Sequence, residues 1–238
     1  MDDRELAPRD HVATTQRPLL GMTILVVEDS RYASEAMRLL CLRSGARIRR
    51  ADCLRSAHRH LQVYRPSAVI VDLGLPDGSG LDLIADLARS LPRVGVLLGT
   101  SGDTGMEEAA MQAGADGFLA KPIRSLAEFQ AAILEHLPED RRPMGPRVAD
   151  TTEIKPDSLA YRDDLVHVAE ALSRDVDSAT ITYATQFLHG IARAAEDHVL
   201  LQAVDELRED QAEGRVVRSG LARVAGLIHD RIEERISL

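Results

Sequence analysis

The sequence predicts an α/β domain, built as a doubly wound parallel sheet of five strands, followed by an all-α helical bundle. Between residues 22 and 138, short apolar runs alternate with helical patterns five times. Strands and helices alternating at this pitch imply right-handed crossovers and a parallel sheet. Residues 139–156 are rich in proline and charge and predict a linker, whereas residues 157–238 contain no strand-like run. Residues 1–21 are expected to form a flexible tail.

The predicted strands of the first domain are short and mostly apolar: Met22–Val27, Ala46–Ala51, Ser67–Asp72, Val94–Leu98 and Asp116–Leu119. Ser67–Asp72 is nearly all apolar up to its final aspartate, as expected for a strand that is buried on both faces. Apolar residues at helical spacing predict the intervening helices, which are Arg31–Ser44, Cys53–Tyr64, Leu81–Leu91, Met106–Ala113 and Leu126–Leu137.

Four apolar stripes at helical spacing predict the helices of the second domain, at residues 165–172, 181–195, 199–207 and 217–232. Asp177 and Asp197 are expected to cap helix N-termini, and Gly214 to end a helix. Amphipathic helices joined by short loops favour an antiparallel bundle.

Composition narrows the classes of function. The formal net charge is −9, which argues against a general nucleic-acid binder because such proteins need a basic face. No stretch approaches the roughly 18 apolar residues of a membrane span, and the N-terminus lacks the apolar core of a secretory signal. We therefore expect a cytoplasmic protein. Cys41 and Cys53 lie in predicted helices and are interpreted as buried thiols, not as a disulfide or a metal site.

Charged side chains follow several of the predicted strands, at the points where the strands end. They are Glu28, Asp29, Asp72 and Lys121, with hydroxyls at Thr100 and Ser101. Ligand sites of open parallel sheets gather outside the carboxyl ends of the strands, so these groups are expected to share one pocket. Three carboxylates and a lysine suit a hard dication and a phosphoryl group, since phosphoryl transfer depends mainly on positioning and charge neutralisation.

The motifs ILVVEDS (residues 24–30), VIVDLGLPDGSGLDLI (69–84) and AGADGFLAKPI (113–123) occur in this order. In them the chain resembles the receiver domain of two-component response regulators, a flavodoxin-like fold, over roughly residues 22–138. The resemblance implies that Asp72 is the phosphoacceptor. It also implies Mg2+ as cofactor, bound by Glu28, Asp29, Asp72 and the backbone carbonyl of Gly74.

The same resemblance implies that Lys121 pairs with the phosphate, that a cis bond precedes Pro122, and that Phe118 is a rotating aromatic switch. The switch hydroxyl is less clearly marked, because the stretch LLGTSGD (97–103) is offset from the usual pattern. Counting back from Lys121 without a gap puts Gly99 at this position. A loop shorter by one residue gives Thr100, which we favour, and one shorter by two gives Ser101.

These features predict a response regulator that a sensor histidine kinase or a phosphotransfer protein phosphorylates, and not an enzyme acting on other substrates. The helical domain is expected to bind another protein or to form a homodimer. Val216, Val217, Leu227 and Ile228 lie on more than one face of the last helix, which suits either a dimer seam or a bundle core.

Two alternatives for the helical domain remain open. Residues 151–238 hold 10 basic and 17 acidic residues, a net charge of −7 that disfavours a DNA-binding transcriptional regulator. A histidine phosphotransfer module would use His189, in the stretch QFLHGIARAAED. There a glycine directly follows the histidine, and the basic residue expected just after it is missing.

Overall fold

The computed structural model describes residues 13–143, 152–173 and 177–233. Seven strands lie in the first part of the chain: β1 (Thr23–Val27), β2 (Arg47–Ala51), β3 (Ala68–Asp72), β4 (Gly74–Leu75), β5 (Gly78–Ser79), β6 (Val96–Ser101) and β7 (Gly117–Ala120). Five of them form a parallel sheet in the order β2-β1-β3-β6-β7. The predicted doubly wound sheet is therefore confirmed. β4 and β5 form a small antiparallel ribbon directly after β3, which the sequence patterns did not predict.

Five helices cover the two faces of the sheet: α1 (Arg31–Ser44), α2 (Leu54–Val63), α3 (Gly80–Arg89), α4 (Glu107–Ala113) and α5 (Leu126–Leu134). Residues of α1 and α5 pack on one face, where Leu40 and Phe129 are fully buried against Ile70. Residues of α2, α3 and α4 pack on the other face. Burial from both sides explains why β3 reads as a continuous apolar run.

The start of α1 is fixed by local sequence. Ser30 is the N-cap, and its Oγ accepts a hydrogen bond from the amide of Ala33 at 3.0 Å. Gly45 ends the helix with a φ of 86°, a conformation that glycine adopts without steric cost. Only Glu28 and Asp29 separate the end of β1 from the cap, so they are held between a buried strand and a helix N-terminus.

The second part of the chain is a four-helix bundle of α6 (Ser158–Leu172), α7 (Ser178–Ala194), α8 (His198–Ala212) and α9 (Arg218–Glu233). Each helix contacts two others, in the cycle α6–α7–α8–α9–α6, around a core that includes Val168, Leu188, Val204 and Val224. Asp177 and Asp197 cap α7 and α8 as predicted, and Gly214 follows α8 with a φ of 68°.

Two segments predicted as a tail and a linker make contacts with the sheet domain. Leu19 is fully buried in the core beneath α1, so the described residues 13–21 do not form a free tail; residues 1–12 lie outside the described residues. Ile154 is 2% exposed and packs in the same core, and its amide donates to the Arg124 carbonyl. Apolar side chains therefore anchor parts of both segments.

Two further predictions need correction. The strand expected at Val94–Leu98 runs from Val96 to Ser101, so Thr100 lies within it and not after it. Cys53 precedes α2 and is only partly buried, whereas Cys41 is a buried helical thiol as predicted. Within the described part of the chain, no helix has both the length and the apolar character needed to cross a membrane.

Candidate functional site

The carboxyl ends of β1 and β3 bring three acidic side chains together. Glu28 and Asp29 follow β1, and Asp72 is the last residue of β3, the strand that pairs with β1 at the centre of the sheet. One carboxylate oxygen of each lies within 4.8 Å of the others. The structure thus places the three predicted metal ligands in one cluster.

Lys121 follows β7 and reaches into this cluster. Its Nζ donates a hydrogen bond to Asp72 Oδ2 at 2.8 Å and lies 2.7 Å from Glu28 Oε2, a charge contact without hydrogen-bond geometry. The predicted cis bond between Lys121 and Pro122 is confirmed. Because the lysine side chain is only 15% exposed, its charge acts on the carboxylates with little screening by water.

Burial dominates the electrostatics of the pocket. It raises the pKa of Glu28 well above its ordinary value, although the charge of Lys121 opposes the shift. Burial, followed by the charge of Asp72, raises the pKa of Asp29 to about 6, while a hydrogen bond from Tyr183 opposes the rise. For Lys121, burial would lower the pKa, but the charges of Asp72 and Glu28 outweigh it, so the pKa is raised. The raised pKa values of Glu28 and Asp29 mean that one lysine does not fully compensate the burial of three neighbouring carboxyl groups.

These residues fit a Mg2+ ion on two grounds. Glu28 Oε2 is buried and meets Lys121 Nζ at 2.7 Å without hydrogen-bond geometry, so this oxygen is short of donors among the described residues. Three clustered carboxylates with one lysine also leave a net negative charge, which a hard dication with oxygen ligands would offset. Gly74, predicted to supply a backbone carbonyl, lies at the edge of the same cavity.

The switch position differs from the expectation for Thr100. Its hydroxyl is buried and donates to the Leu119 carbonyl at 2.7 Å, so it does not face the pocket. Gly99 lies on the opposite face of β6, where a Cβ would stand 3.4 Å from the ring of Phe118. Ser101 shares the face of Gly99, because strand side chains alternate, and it lines the pocket. Because side chains alternate along the strand, the Thr100 hydroxyl points away from the pocket and the Ser101 hydroxyl lies at it.

The helical bundle docks beside this pocket, through a contact that sequence reasoning did not identify. Asp164 of α6 accepts hydrogen bonds from the Ser30 hydroxyl at 2.7 Å and from the amides of Arg31 and Tyr32 at 2.8 and 3.0 Å. Asp164 is only 1% exposed. A carboxylate at a helix N-terminus satisfies unpaired amides and interacts favourably with the helix dipole. This contact joins the bundle to the helix that starts next to Asp29.

Helix α7 adds two contacts along the pocket. The Tyr183 hydroxyl donates to Asp29 Oδ2 at 2.6 Å, and Arg193 donates to the Gly102 carbonyl at 3.2 Å. Between these ends lies a cavity of about 400 Å³, which both parts of the chain line. Asp72, Lys121 and His189 are among its lining residues. A helix of the bundle therefore borders the predicted phosphoacceptor site.

The proposed dimer seam on the last helix is mostly used inside the bundle. Ile228 is buried in the bundle core, and Val217 and Leu227 pack against it. Val216 is 77% exposed. Packing within one chain accounts for three of these four residues, and the homodimer stays a prediction.

Comparison with known proteins identifies a family for the first part of the chain. Residues 24–134 match the response regulator receiver domain family. The chain is 32% identical over 110 residues to the KDP operon transcriptional regulatory protein KdpE of Escherichia coli (strain K12), covering 46% of this chain and 48% of that protein. It is 34% identical over 113 residues to the transcriptional regulatory protein BasR of the same organism, covering 47% and 50%. The chain spans about half the length of these curated relatives.

Solved structures similar to this one cover the same half of the chain. A putative response regulator from Chloroflexus aurantiacus J-10-fl has a TM-score of 0.45 and 26% identity, covering 48% of this chain and 96% of that one. The receiver domain of a Pseudomonas aeruginosa PAO1 sensor histidine kinase, solved with a magnesium ion in its active-site cleft, has a TM-score of 0.43 and 25% identity, covering 48% and 96%. The family match ends within α5, so it does not include the bundle. Residues 24–134 of this chain are a response regulator receiver domain.

Proposed function

We propose that Asp72 accepts a phosphoryl group from a sensor histidine kinase or a phosphotransfer protein, with Mg2+ as cofactor. The observation that carries this proposal is the meeting of Glu28, Asp29, Asp72 and Lys121 at one sheet edge, beside a cavity of about 400 Å³. The chain is then a response regulator of a two-component system. It is a phosphoacceptor, and not an enzyme that acts on other substrates.

The transfer balances as one displacement at phosphorus. An oxygen of Asp72 forms the new P–O bond while the P–N bond of the donor phosphohistidine breaks, and the electron pair returns to the donor imidazole. Lys121, 2.8 Å from Asp72, neutralises charge on the phosphoryl oxygens. Ser101, on the pocket side of β6, offers a hydroxyl to the acyl phosphate. A bound Mg2+ would supply further charge neutralisation, held by Glu28, Asp29 and Asp72.

The helical bundle is proposed to pass the signal on by contact with another protein. Its α6 and α7 bind the residues that immediately follow β1, so a change of charge at Asp72 alters the surroundings of this contact. Modification would then shift the population between docked and released bundles. The curated relatives are named as transcriptional regulators, but their similarity covers the receiver half. The net charge of −7 over residues 151–238 favours a protein partner over DNA.

The test uses the full chain with acetyl phosphate and MgCl2. Intact mass measurement should show one added phosphoryl group, which Asp72→Asn abolishes. The matched control is Asp86→Asn, because Asp86 is an exposed carboxylate on α3 whose side chain is 63% exposed. Labelling that persists in Asp72→Asn, or that disappears in Asp86→Asn, would contradict the assignment of Asp72.

A further inference from the structure

One face of α7 lies across the opening of the phosphoacceptor pocket. Tyr183, Gln186, Gly190 and Arg193 recur every three or four residues and therefore share this face. Tyr183 binds Asp29 at one end, and Arg193 binds the Gly102 carbonyl at the other. Two residues between these ends lie close to receiver glycines. The side-chain amide nitrogen of Gln186 is 3.1 Å from the position of a Cβ built on Gly74, and the Cα of Gly190 is 4.0 Å from that of a Cβ built on Gly102. The helix is thus seated over the residues around Asp72.

His189 lies beside this face and lines the same cavity as Asp72 and Lys121. Its side chain is 21% exposed, and its Nε2 is 3.4 Å from Asp205 Oδ1 on α8, which leaves the other ring nitrogen outside that contact. A Cβ built on the neighbouring Gly190 would meet no atom within 4 Å. The surface of α7 at Gly190, directly after the histidine, is therefore open.

Basic side chains line the cavity beside His189, together with the carboxylates of Glu28, Asp29, Asp72 and Asp103. Arg193 and Arg208 line the cavity from the bundle side, and Lys121 lines it from the receiver side. Burial, followed by the charge of Arg208, lowers the pKa of His189, while Asp205 opposes the shift. A neutral imidazole has a free electron pair on one nitrogen and is a competent nucleophile for phosphorus. No basic residue directly follows the histidine in sequence. Arg193, one turn further along α7, and Arg208 on α8 instead supply positive charge at the cavity.

We propose that His189 is a second phosphoryl-bearing residue, which exchanges the group with Asp72 within one chain. The inference rests on the proposed function of Asp72. In the forward step, an imidazole nitrogen forms the P–N bond as the P–O bond of the acyl phosphate breaks, and the electron pair returns to the Asp72 carboxylate. The imidazolium formed loses its ring proton to water. The reverse step regenerates the acyl phosphate. Both steps need His189 and Asp72 at the same cavity, so transfer takes place with the bundle docked.

A purely structural role for His189 would also explain its contact with Asp205, since this contact ties α7 to α8. The two roles differ in a chemical signature. Acyl phosphate hydrolyses in alkali, whereas phosphohistidine survives alkali and is lost in acid. Of the two roles of His189, only the phosphoryl-bearing one yields a label that resists alkali.

The full chain is incubated with acetyl phosphate and MgCl2, and total and alkali-resistant label are measured separately, with peptide mass spectrometry to place the phosphoryl group. Wild type should carry both kinds of label. Asp72→Asn should lose both, and His189→Gln should keep the alkali-labile label and lose at least nine-tenths of the resistant one. The matched control is His229→Gln, because the side chain of His229 is 69% exposed on α9 and outside the residues lining the cavity.

The outcomes separate the two proposals. If no label enters wild type, the function of Asp72 is wrong. If wild type carries only alkali-labile label, Asp72 stands and the role of His189 is overturned, a result that does not depend on any variant folding. Alkali-resistant label in Asp72→Asn would show direct labelling by the donor and would overturn the exchange. Loss of the alkali-resistant label in His229→Gln would place this label on His229 and not on His189.

Discussion

Replacing Lys121 with methionine removes the cation that, among the described residues, contacts the carboxylate cluster. Lys121 Nζ contacts Asp72 Oδ2 and Glu28 Oε2 at 2.8 and 2.7 Å. Methionine keeps much of the side-chain volume, so the change tests charge more than packing. Glu28 and Asp72 are 4% and 6% exposed, which means that water cannot take the place of the lysine.

Removing one partner of a buried ion pair costs about 3–5 kcal/mol, because the other charge stays buried and unpaired. We expect the lower end, about 3 kcal/mol at pH 7.5, since Glu28 has a raised pKa and can take up a proton instead of remaining charged. For a protein of this size, 1 kcal/mol shifts the melting temperature by about 2–4 °C, so the variant should melt roughly 6–12 °C lower.

Thermal unfolding by circular dichroism, with and without 10 mM MgCl2, measures both parts of the argument. Without Lys121 no ammonium competes with the metal for Glu28 and Asp72, so Mg2+ should raise the melting temperature of Lys121→Met more than that of wild type. The control is Arg89→Met, which breaks an exposed pair with Asp86 whose side chains are 75% and 63% exposed. Exposed pairs contribute about 0–1 kcal/mol, so this variant should melt near wild type.

A double variant separates charge from packing. Asp72→Asn removes one of the carboxylates left unpaired, so Asp72→Asn/Lys121→Met should recover part of the loss seen in Lys121→Met. The reasoning is refuted if Lys121→Met is no less stable than Arg89→Met, or if Mg2+ stabilises it no more than wild type. Either result would mean that the buried carboxylates do not depend on the lysine.

Two other predictions concern the bundle. Tyr183→Phe should bind Mg2+ about tenfold more tightly in isothermal titration calorimetry, because metal ligation by Asp29 no longer competes with a hydrogen bond worth about 1.5 kcal/mol; unchanged affinity would contradict this. Asp197→Asn should destabilise the chain by about 2 kcal/mol in urea at pH 7, through loss of the charge that Arg231 and Tyr161 bind. Burial would raise the pKa of Asp197, but these hydrogen bonds outweigh it and the pKa is lowered. The stabilisation by the Asp197 carboxylate is therefore fully present above about pH 3.9 and is lost as pH falls through the lower pKa of the folded state. Variant and wild type should converge in stability there. A difference in stability that does not depend on pH would contradict this prediction.

The sequence was sufficient for the parts of the site that depend on sheet topology. Glu28, Asp29, Asp72 and Lys121 each follow an apolar run, and parallel strands bring their carboxyl ends to one edge. No long-range side-chain contact has to be known for this inference. Thr100 shows its limit, since a shift of one residue along a strand moves a side chain to the other face. The apolar run alone did not fix where β6 ends, so it could not choose among Gly99, Thr100 and Ser101.

Docking of the bundle depends on contacts between residues far apart in the sequence, such as Asp164 with Ser30, 134 positions away. Helical periodicity identifies an apolar face but not the surface that it meets. One signal was present in α6, where Asp164 lies on the same face as Tyr161, Leu165 and Val168, which are mostly apolar. A carboxylate on such a face requires a buried partner. Helix N-termini in the first domain were the available donors, and that of α1 is the one used.

The two halves of the chain are linked through Asp29. Its Oδ2 accepts the Tyr183 hydroxyl in the docked structure, and the same carboxylate belongs to the cluster that fits Mg2+. The hydrogen bond from Tyr183 draws on the carboxylate that would ligate the metal, so docking of the bundle and metal binding oppose each other at Asp29. Thermodynamic linkage requires the opposition to be reciprocal: if releasing Tyr183 tightens Mg2+ binding tenfold, Mg2+ weakens docking through that contact by the same factor. Under the proposed function, phosphorylation of Asp72 with Mg2+ would then act on the bundle through Asp29.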